Sequence, residues 1–335
     1  QRQVSLLQEP PGCGRRRKRM KKIVVLGGGT GLSSMLAGMK KIQDAQVTAI
    51  VTVADDGGST GRIRNAYNVP AMGDIRHVLT AMAQNDNAGI LQQLMNYRFE
   101  GQEDVGGHSL GNLIFLAMMD ITGSFMGAIE SLSRVMGVNG TILPCTLDVA
   151  TLYALMADGT LVRGEKNIPT RDNAIEHVYY QQDVQPYDKA LEALREADLI
   201  IYGIGSLYTS VIPNLIIPGI PEAIYENPCP KIYFCNAMTQ PGETEGYTME
   251  DHVRALEKHS FKNPADLVVL NDTEVSSHVL ERYARMGSFP VHSDETAQSY
   301  EVWKRPLITL ADNERIRHDP EAVRQVVQEI LEELG

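Results

Sequence analysis

A single tryptophan, Trp303, and an aromatic share of only 6% leave this chain without an obvious platform on which a flat cofactor could stack. Cysteine is equally sparse. Cys13, Cys145, Cys229 and Cys235 lie far apart with no C-x-x-C pair, which argues against a dense zinc site or a dithiol redox motif and fits reduced thiols in a cytosol. The eight histidines lack zinc-type spacing as well. No Gly-Lys-Ser/Thr follows the first glycine turn, so there is no P-loop. Residues 1–19 lack the apolar core of a secretory signal. The stretch from Leu199 to Pro221 has no charge and is nominally long enough to span a bilayer. It contains Gly203, Gly205, Pro213, Pro218 and Gly219, and a lipid-exposed helix of that composition would leave backbone groups unpaired. It reads instead as a buried strand, a loop and a short helix, with no membrane insertion.

The chain has 335 residues and a hydrophobic share of 43%, enough to bury a sizeable core. Its net charge of −11 conceals an asymmetry. Residues 1–19 hold six Lys/Arg against Glu9 alone, so the remainder carries −16. An acidic body repels a polyphosphate backbone, which excludes nucleic acid as a partner of the folded part. Residues 1–19 read as a basic disordered tail or a misplaced start ahead of Met20, and residues 20–335 as a single α/β domain.

Ile23–Leu26 is a short β-branched run that enters Gly27-Gly28-Gly29-Thr30-Gly31, after which Leu32, Met35, Leu36 and Met39 recur at helical spacing. Val47–Ala54 repeats the pattern and ends in Asp55-Asp56-Gly57-Gly58-Ser59-Thr60-Gly61-Arg62. Gly73-Asp74 opens another helix, and Gly106-Gly107-His108-Ser109 introduces the strongly apolar Leu110–Met119, suited to a core or an interface. Further strands are expected at Thr141–Thr146, Leu199–Ile204, Lys231–Cys235, Leu267–Leu270 and Leu307–Leu310, with a terminal helix over Glu321–Leu334. Strands alternating with helices predict a Rossmann-like, doubly wound α/β fold with a mainly parallel sheet. Between about 143 and 186 the pattern changes. Leu152–Met156 and Leu161–Val162 flank Asp158-Gly159, a hairpin signal, so a small β-rich insertion is expected there.

Glycines after the first strand let a backbone approach a phosphate, and the following helix offers free N–H groups. The same turn could merely pack helix on strand, and Leu32 departs from the dinucleotide fingerprint at its sixth place. That departure weakens a third reading, a dinucleotide-dependent oxidoreductase. Asp55 and Asp56 stand where open α/β sheets bind their ligands. One acid could hold a ribose hydroxyl, and Asp55, Asp56 and Asp74 together could hold Mg²⁺ alongside ligand phosphates. Asp74 could equally cap its own helix. Gly107-His108-Ser109-Leu110-Gly111 matches the nucleophile elbow of hydrolases, yet no strand precedes it, and Ser109 reads better as a helix cap or phosphate-binding hydroxyl. Gly205-Ser206-Leu207-Tyr208-Thr209-Ser210 and the loop from Asn236 through Thr239 to Thr244 repeat the strand-then-donor logic. Several uncharged, donor-rich loops at strand ends suggest one rim around a polar ligand. No base-activated Ser, Cys or Lys accompanies them.

Taken in order, Gly27–Ser33, Asp55–Arg62, Gly73–Arg76, Gly107–Leu113, Gly205–Ser210 and Arg317-His318-Asp319 resemble the CofD/YvcK family over about Lys21 to Leu334. The loop Asn236–Thr244 is closest to its bacterial YvcK branch, called gluconeogenesis factor. The resemblance implies that Gly28, Gly29, Thr30, Gly31, Asp55 and the Gly205–Ser210 loop line a nucleotide diphosphate site, with Tyr283 and Arg317 as further ligand contacts. Ser59, Thr60, His108, Ser109, Asn112, Asn236 and Thr239 complete the candidate set. It further implies a UDP-sugar or other nucleotide diphosphate ligand, with Mg²⁺ as an accompanying ion. The implied role is regulatory and cytoplasmic, tied to growth on gluconeogenic carbon sources and to cell shape and wall synthesis, in a homo-oligomer. The alternative is the activity of CofD itself, a Mg²⁺-dependent transferase that moves a phospholactyl group from a guanosine diphosphate carrier to a deazaflavin.

Overall fold

The computed structural model describes residues 19–84, 88–101, 104–171, 173–295 and 298–334. The basic run and Cys13 therefore lie outside the described residues. The apolar runs form the strands they predict. β1 (Lys21–Gly27), β2 (Ala45–Val51), β3 (Thr141–Pro144), β7 (Leu199–Tyr202), β8 (Lys231–Phe234), β9 (Leu267–Asn271) and β10 (Glu301–Arg305) make one sheet, every pairing parallel. Both faces of a parallel sheet are covered, so its strands are apolar without alternation. Ile23 to Leu26 and Leu199 to Tyr202 are at most 1% exposed. Each side chain buried this way contributes roughly 1.5–3 kcal/mol.

The strand order is β10-β9-β8-β7-β1-β2-β3. From β1 the chain steps outward to β2 and β3. It then returns to the other side of β1 and steps outward the opposite way through β7, β8, β9 and β10. The direction reverses between β1 and β7, and a crevice opens at the carboxyl ends of strands flanking such a reversal. Both strands end in the glycine turns singled out above.

Helix Gly29–Met39 packs against helices Gly73–Met82 and Pro320–Glu333. The segment after β3 leaves the main sheet. β4 (Leu152–Met156), β5 (Leu161–Arg163) and β6 (Ile175–Tyr180) form a separate antiparallel sheet in the order β5-β4-β6, with the β4–β5 hairpin turning at Asp158-Gly159. A short 3₁₀ helix, Glu165–Thr170, lies between β5 and β6.

Two strands differ from expectation. β10 has no apolar run to signal it, because Glu301, Lys304 and Arg305 interrupt its apolar content; it is an edge strand, where charge is tolerated. The run at Leu307–Leu310 does form a strand, β11 (Ile308–Ala311), but outside the main sheet, in an antiparallel hairpin with β12 (Arg315–His318). Helix Leu110–Thr122 is a surface helix, with Gly111, Asn112 and Phe115 its buried residues and Ile121 77% exposed. It meets helix Phe125–Met136 at 114°, and among the described residues no single helix is long and apolar enough to cross a membrane.

Candidate functional site

The turns after β1 and β7 meet across the crevice. A Cβ on Gly31 would lie 2.7 Å from the carbonyl carbon of Ile204 and 2.9 Å from Cα of Gly205, so only hydrogen fits there. Asn214 clamps the junction from beneath, its amide donating to the carbonyls of Gly27 (3.3 Å) and Ser210 (2.9 Å). Asn236, at the end of β8, donates to the Gly205 carbonyl at 2.7 Å and braces the second turn with a third strand tip. After Ser206 the backbone makes a wide turn, with the Val211 amide reaching back five residues to the Ser206 carbonyl at 3.0 Å. Such wide turns are frequent at functional sites.

Between these tips lies an open cavity of about 430 Å³. Gly28, Gly29, Thr30, Gly31 and Ser34 form one wall, and Gly205, Ser206, Thr209 and Ser210 the facing one. Asn236 and Arg317 also line it, the latter exposed on β12. His318 adds a ring whose Nε2 is buried with no hydrogen-bond partner among the described residues. Burial pulls this imidazole down to about 4, so it is neutral at pH 7.

The remaining wall is acidic, which the sequence did not suggest. Glu165, from the turn after β5, and Glu243, from the loop after β8, both face the cavity. Glu243 is 5% exposed; it accepts from the Ser206 hydroxyl and, at 3.4 Å, from the Tyr208 amide. Burial pushes its carboxyl up to about 7 against those hydrogen bonds, and Glu245 adds to the rise. Burial, then Asp55, Asp74, Asp56 and Glu243, push Glu165 up to about 8.

Asp55, Asp56 and Asp74 stand behind the first turn. A Cβ on Gly28 would come within 2.5 Å of Asp74 Oδ2, so the glycine is what lets this carboxylate approach. Burial and then Asp55 raise Asp74 to about 7, opposed by the Gly29 amide and Arg76. Asp55 is raised mainly by burial and accepts from the Gly57 amide at 2.8 Å. Asp56 accepts from the Lys166 amide at 3.1 Å and so fastens the small sheet to this loop. Among the described residues no group of three or more His, Cys, Asp or Glu is arranged to hold a metal ion. The carboxylates fit Mg²⁺ in its other mode, in which one or two of them join ligand phosphates and water. Burial first, and a neighbouring carboxylate second, raise Asp55 and Asp74, and a bound cation would favour their charged forms.

The second motif group turns inward. Ser59 Oγ receives the Ser109 amide (3.1 Å) and the Asn112 amide group (3.2 Å), and lies 3.1 Å from His108 Nδ1. With both lone pairs accepting, its own proton goes to that nitrogen. Asn112 also donates to Thr60 (3.2 Å) and accepts from Arg76 Nε (3.0 Å). Ser59, Thr60, Ser109 and Asn112 are therefore a buried fastening between helices Gly58–Tyr67 and Leu110–Thr122, set back from the cavity lining. Three other candidates act from behind. Thr239 Oγ1 receives the Phe289 amide (2.9 Å), and the Tyr208 phenol pairs with that of Tyr247 (2.8 Å). Tyr283 accepts from the Ile316 amide at 2.8 Å and so positions the strand that carries Arg317. Leu207 is core.

A family model described as 2-phospho-L-lactate transferase CofD matches residues 23–308. The gluconeogenesis factor of Bacillus subtilis (strain 168) is 42% identical over 316 residues, covering 93% of this chain and 98% of that protein. The gluconeogenesis factor of Halalkalibacterium halodurans is 45% identical over 278 residues, covering 83% and 85%. A crystal structure of a Bacillus halodurans protein described as a member of the UPF0052 family superposes with a TM-score of 0.87 at 41% identity, over 92% of this chain and 99% of that one.

Proposed function

The chain belongs to the CofD family, and on that footing we propose that it binds a nucleotide diphosphate sugar as a regulatory ligand. The observation that carries the reading is the meeting of two glycine turns, from β1 and β7, over one cavity at the point where the strand order reverses. Backbone amides and the hydroxyls of Thr30, Thr209 and Ser210 are chemistry suited to a diphosphate, with Arg317 offsetting its charge. The acidic wall supports a sugar beyond the phosphates. Sugar hydroxyls are donors, and Glu165 and Glu243 are acceptors set beside the diphosphate seat. The relatives named gluconeogenesis factor direct the role towards control of carbon metabolism. Thermal unfolding with UDP-N-acetylglucosamine tests the reading. A saturable upward shift is expected, and Arg317→Glu should abolish it. A wild-type protein that responds to no nucleotide diphosphate would refute it.

A second reading, transfer of a phospholactyl-type group, is favoured by one observation, the carboxylates of Asp55 and Asp74 behind the first glycine turn with Glu165 electrostatically coupled to them from the cavity wall. Asp55, Asp56 and Asp74 would hold Mg²⁺, whose contribution is to neutralise charge on a leaving diphosphate. Such catalysis is positioning and electrostatics, so the lack of a nucleophile is no obstacle. Product formation from a guanosine-linked donor and deazaflavin in Mg²⁺, lost in Asp55→Asn, is the outcome this reading requires. Full turnover in Asp55→Asn would remove these acids from the chemistry.

A further inference from the structure

Past Ala237 and Met238, which line both, a second hollow of about 360 Å³ adjoins the cavity at the carboxyl ends of β8 and β9. Its walls are of a different kind. Met238, Val275, Leu280, Pro290 and Ile308 line it with hydrocarbon. Its uncharged polar side chains are already engaged. The Thr273 hydroxyl donates to Asn271 Oδ1 at 2.9 Å, the same oxygen accepts the Leu307 amide at 3.0 Å, and Thr273 Oγ1 receives the Ile308 amide at 3.4 Å. Glu274 is the one charged residue of the lining, and it is exposed. The two spaces share their frame. On the β11–β12 hairpin Ile308 pairs with His318, so one element lines the hollow through the first residue and the cavity through the second. Met238 is held in the shared wall by a backbone bridge to Pro290.

We propose that this hollow seats the heterocyclic base of the nucleotide whose diphosphate rests on the two glycine turns, an inference that rests on that reading of the cavity. A nucleotide sugar carries two ends of opposite character on one diphosphate. The sugar presents hydroxyls on every side and needs acceptors; the base presents two apolar faces and a hydrogen-bonding edge. Glu165, Gln240 and Glu243 line the cavity as acceptors for a sugar. The adjoining hollow offers aliphatic walls and a thioether, which suit the faces of a ring. The Glu274 carboxylate repels any ligand end bearing phosphate and accepts from a ring N–H or amino group. The base would then lie in the hollow, with the diphosphate and sugar in the adjoining cavity. This placement also explains how a chain with few aromatics holds a heterocycle, by aliphatic contact instead of ring stacking.

Calorimetric titration with two probes, UDP-N-acetylglucosamine and inorganic pyrophosphate, tests the assignment. Leu280→Arg, which puts a charge into the hollow, and Val275→Trp, which fills it, should each weaken the nucleotide sugar more than tenfold while leaving pyrophosphate within about twofold. Retained pyrophosphate binding also certifies that the variants are folded. Unchanged nucleotide-sugar affinity in both variants, or equal loss of both probes, overturns the base site and leaves the cavity reading standing. A wild-type protein that binds neither probe overturns the cavity reading, and the base site with it.

Discussion

A Gly31→Val variant is expected to lose all stabilisation by UDP-N-acetylglucosamine and to unfold several kcal/mol more readily than wild type. The reason is geometric. Any Cβ at this position is driven into the Ile204 carbonyl and the Gly205 Cα, all backbone atoms at the end of a central strand. A flexible side chain could swing aside; β7, paired with β1 and β8, cannot. Overpacking in a close-packed interior costs about 1–3 kcal/mol and more where the neighbour is rigid. On the proposed reading the ligand loss follows from the same contact, because separating the two turns would dismantle a seat built from both. Gly89→Ala is the control. A Cβ there meets nothing within 4 Å, and the residue lies in the first turn of helix Ala88–Asn96, where alanine is tolerated, so that variant should bind normally with a stability close to wild type. Urea denaturation and ligand-dependent thermal unfolding of the two variants check this. A Gly31→Val protein that still responds to the nucleotide sugar would mean that the turns need not touch.

The parts of this site that were legible in the sequence are those whose signal is local. A β-branched run ending in glycines is a statement about consecutive residues, and β1 with its turn, β7 with its turn, and β8 with Asn236 all followed from it. That the tips of β1 and β7 share one rim is legible only from the repeated strand-end pattern and the family resemblance; no local signal carries it, since more than 170 residues separate them and the reversal of strand order brings them together. The inward-facing cluster misled for a related reason. Ser59, Thr60, Ser109 and Asn112 are donor-rich residues at helix starts, the composition a phosphate site also needs, and sequence does not say which way they turn. They turn inward because Arg76, 4% exposed, needs the Asn112 carbonyl, and Asn112 then supplies the hydroxyls of Ser59 and Thr60. Glu165 and Glu243 carried no signal of their own. A lone glutamate in a loop reads as a solvated charge, and only the approach of the small sheet to the loop after β8 makes these two a wall.

Glu243 makes the second large prediction, on stability and pH. Its carboxyl lies at about 7 in the native protein, against an ordinary value of 4.5. The folded value is the higher one, so between pH 4.5 and 7 the unfolded chain releases this proton while the native state keeps it. Below about 4.5 the linkage contributes nothing. As pH rises through the interval, stability falls, and above about 7 the full difference, on the order of 3 kcal/mol, has been lost. Glu243→Gln removes the titration while keeping an oxygen for the Ser206 hydroxyl and the Tyr208 amide. The variant should match wild type near pH 4.5 and exceed it by about 2–3 kcal/mol at pH 8, measured by urea denaturation without ligand or divalent cation. Glu165, which remains, keeps a residual slope extending towards pH 8, because its own carboxyl lies at about 8. A difference between variant and wild type that is the same at both pH values would show that the Glu243 carboxyl holds its proton no more tightly in the folded cavity than in water. Glu243 occupies the Ser206 hydroxyl and the Tyr208 amide of the second turn, the donors for which, on the proposed reading, a ligand would compete.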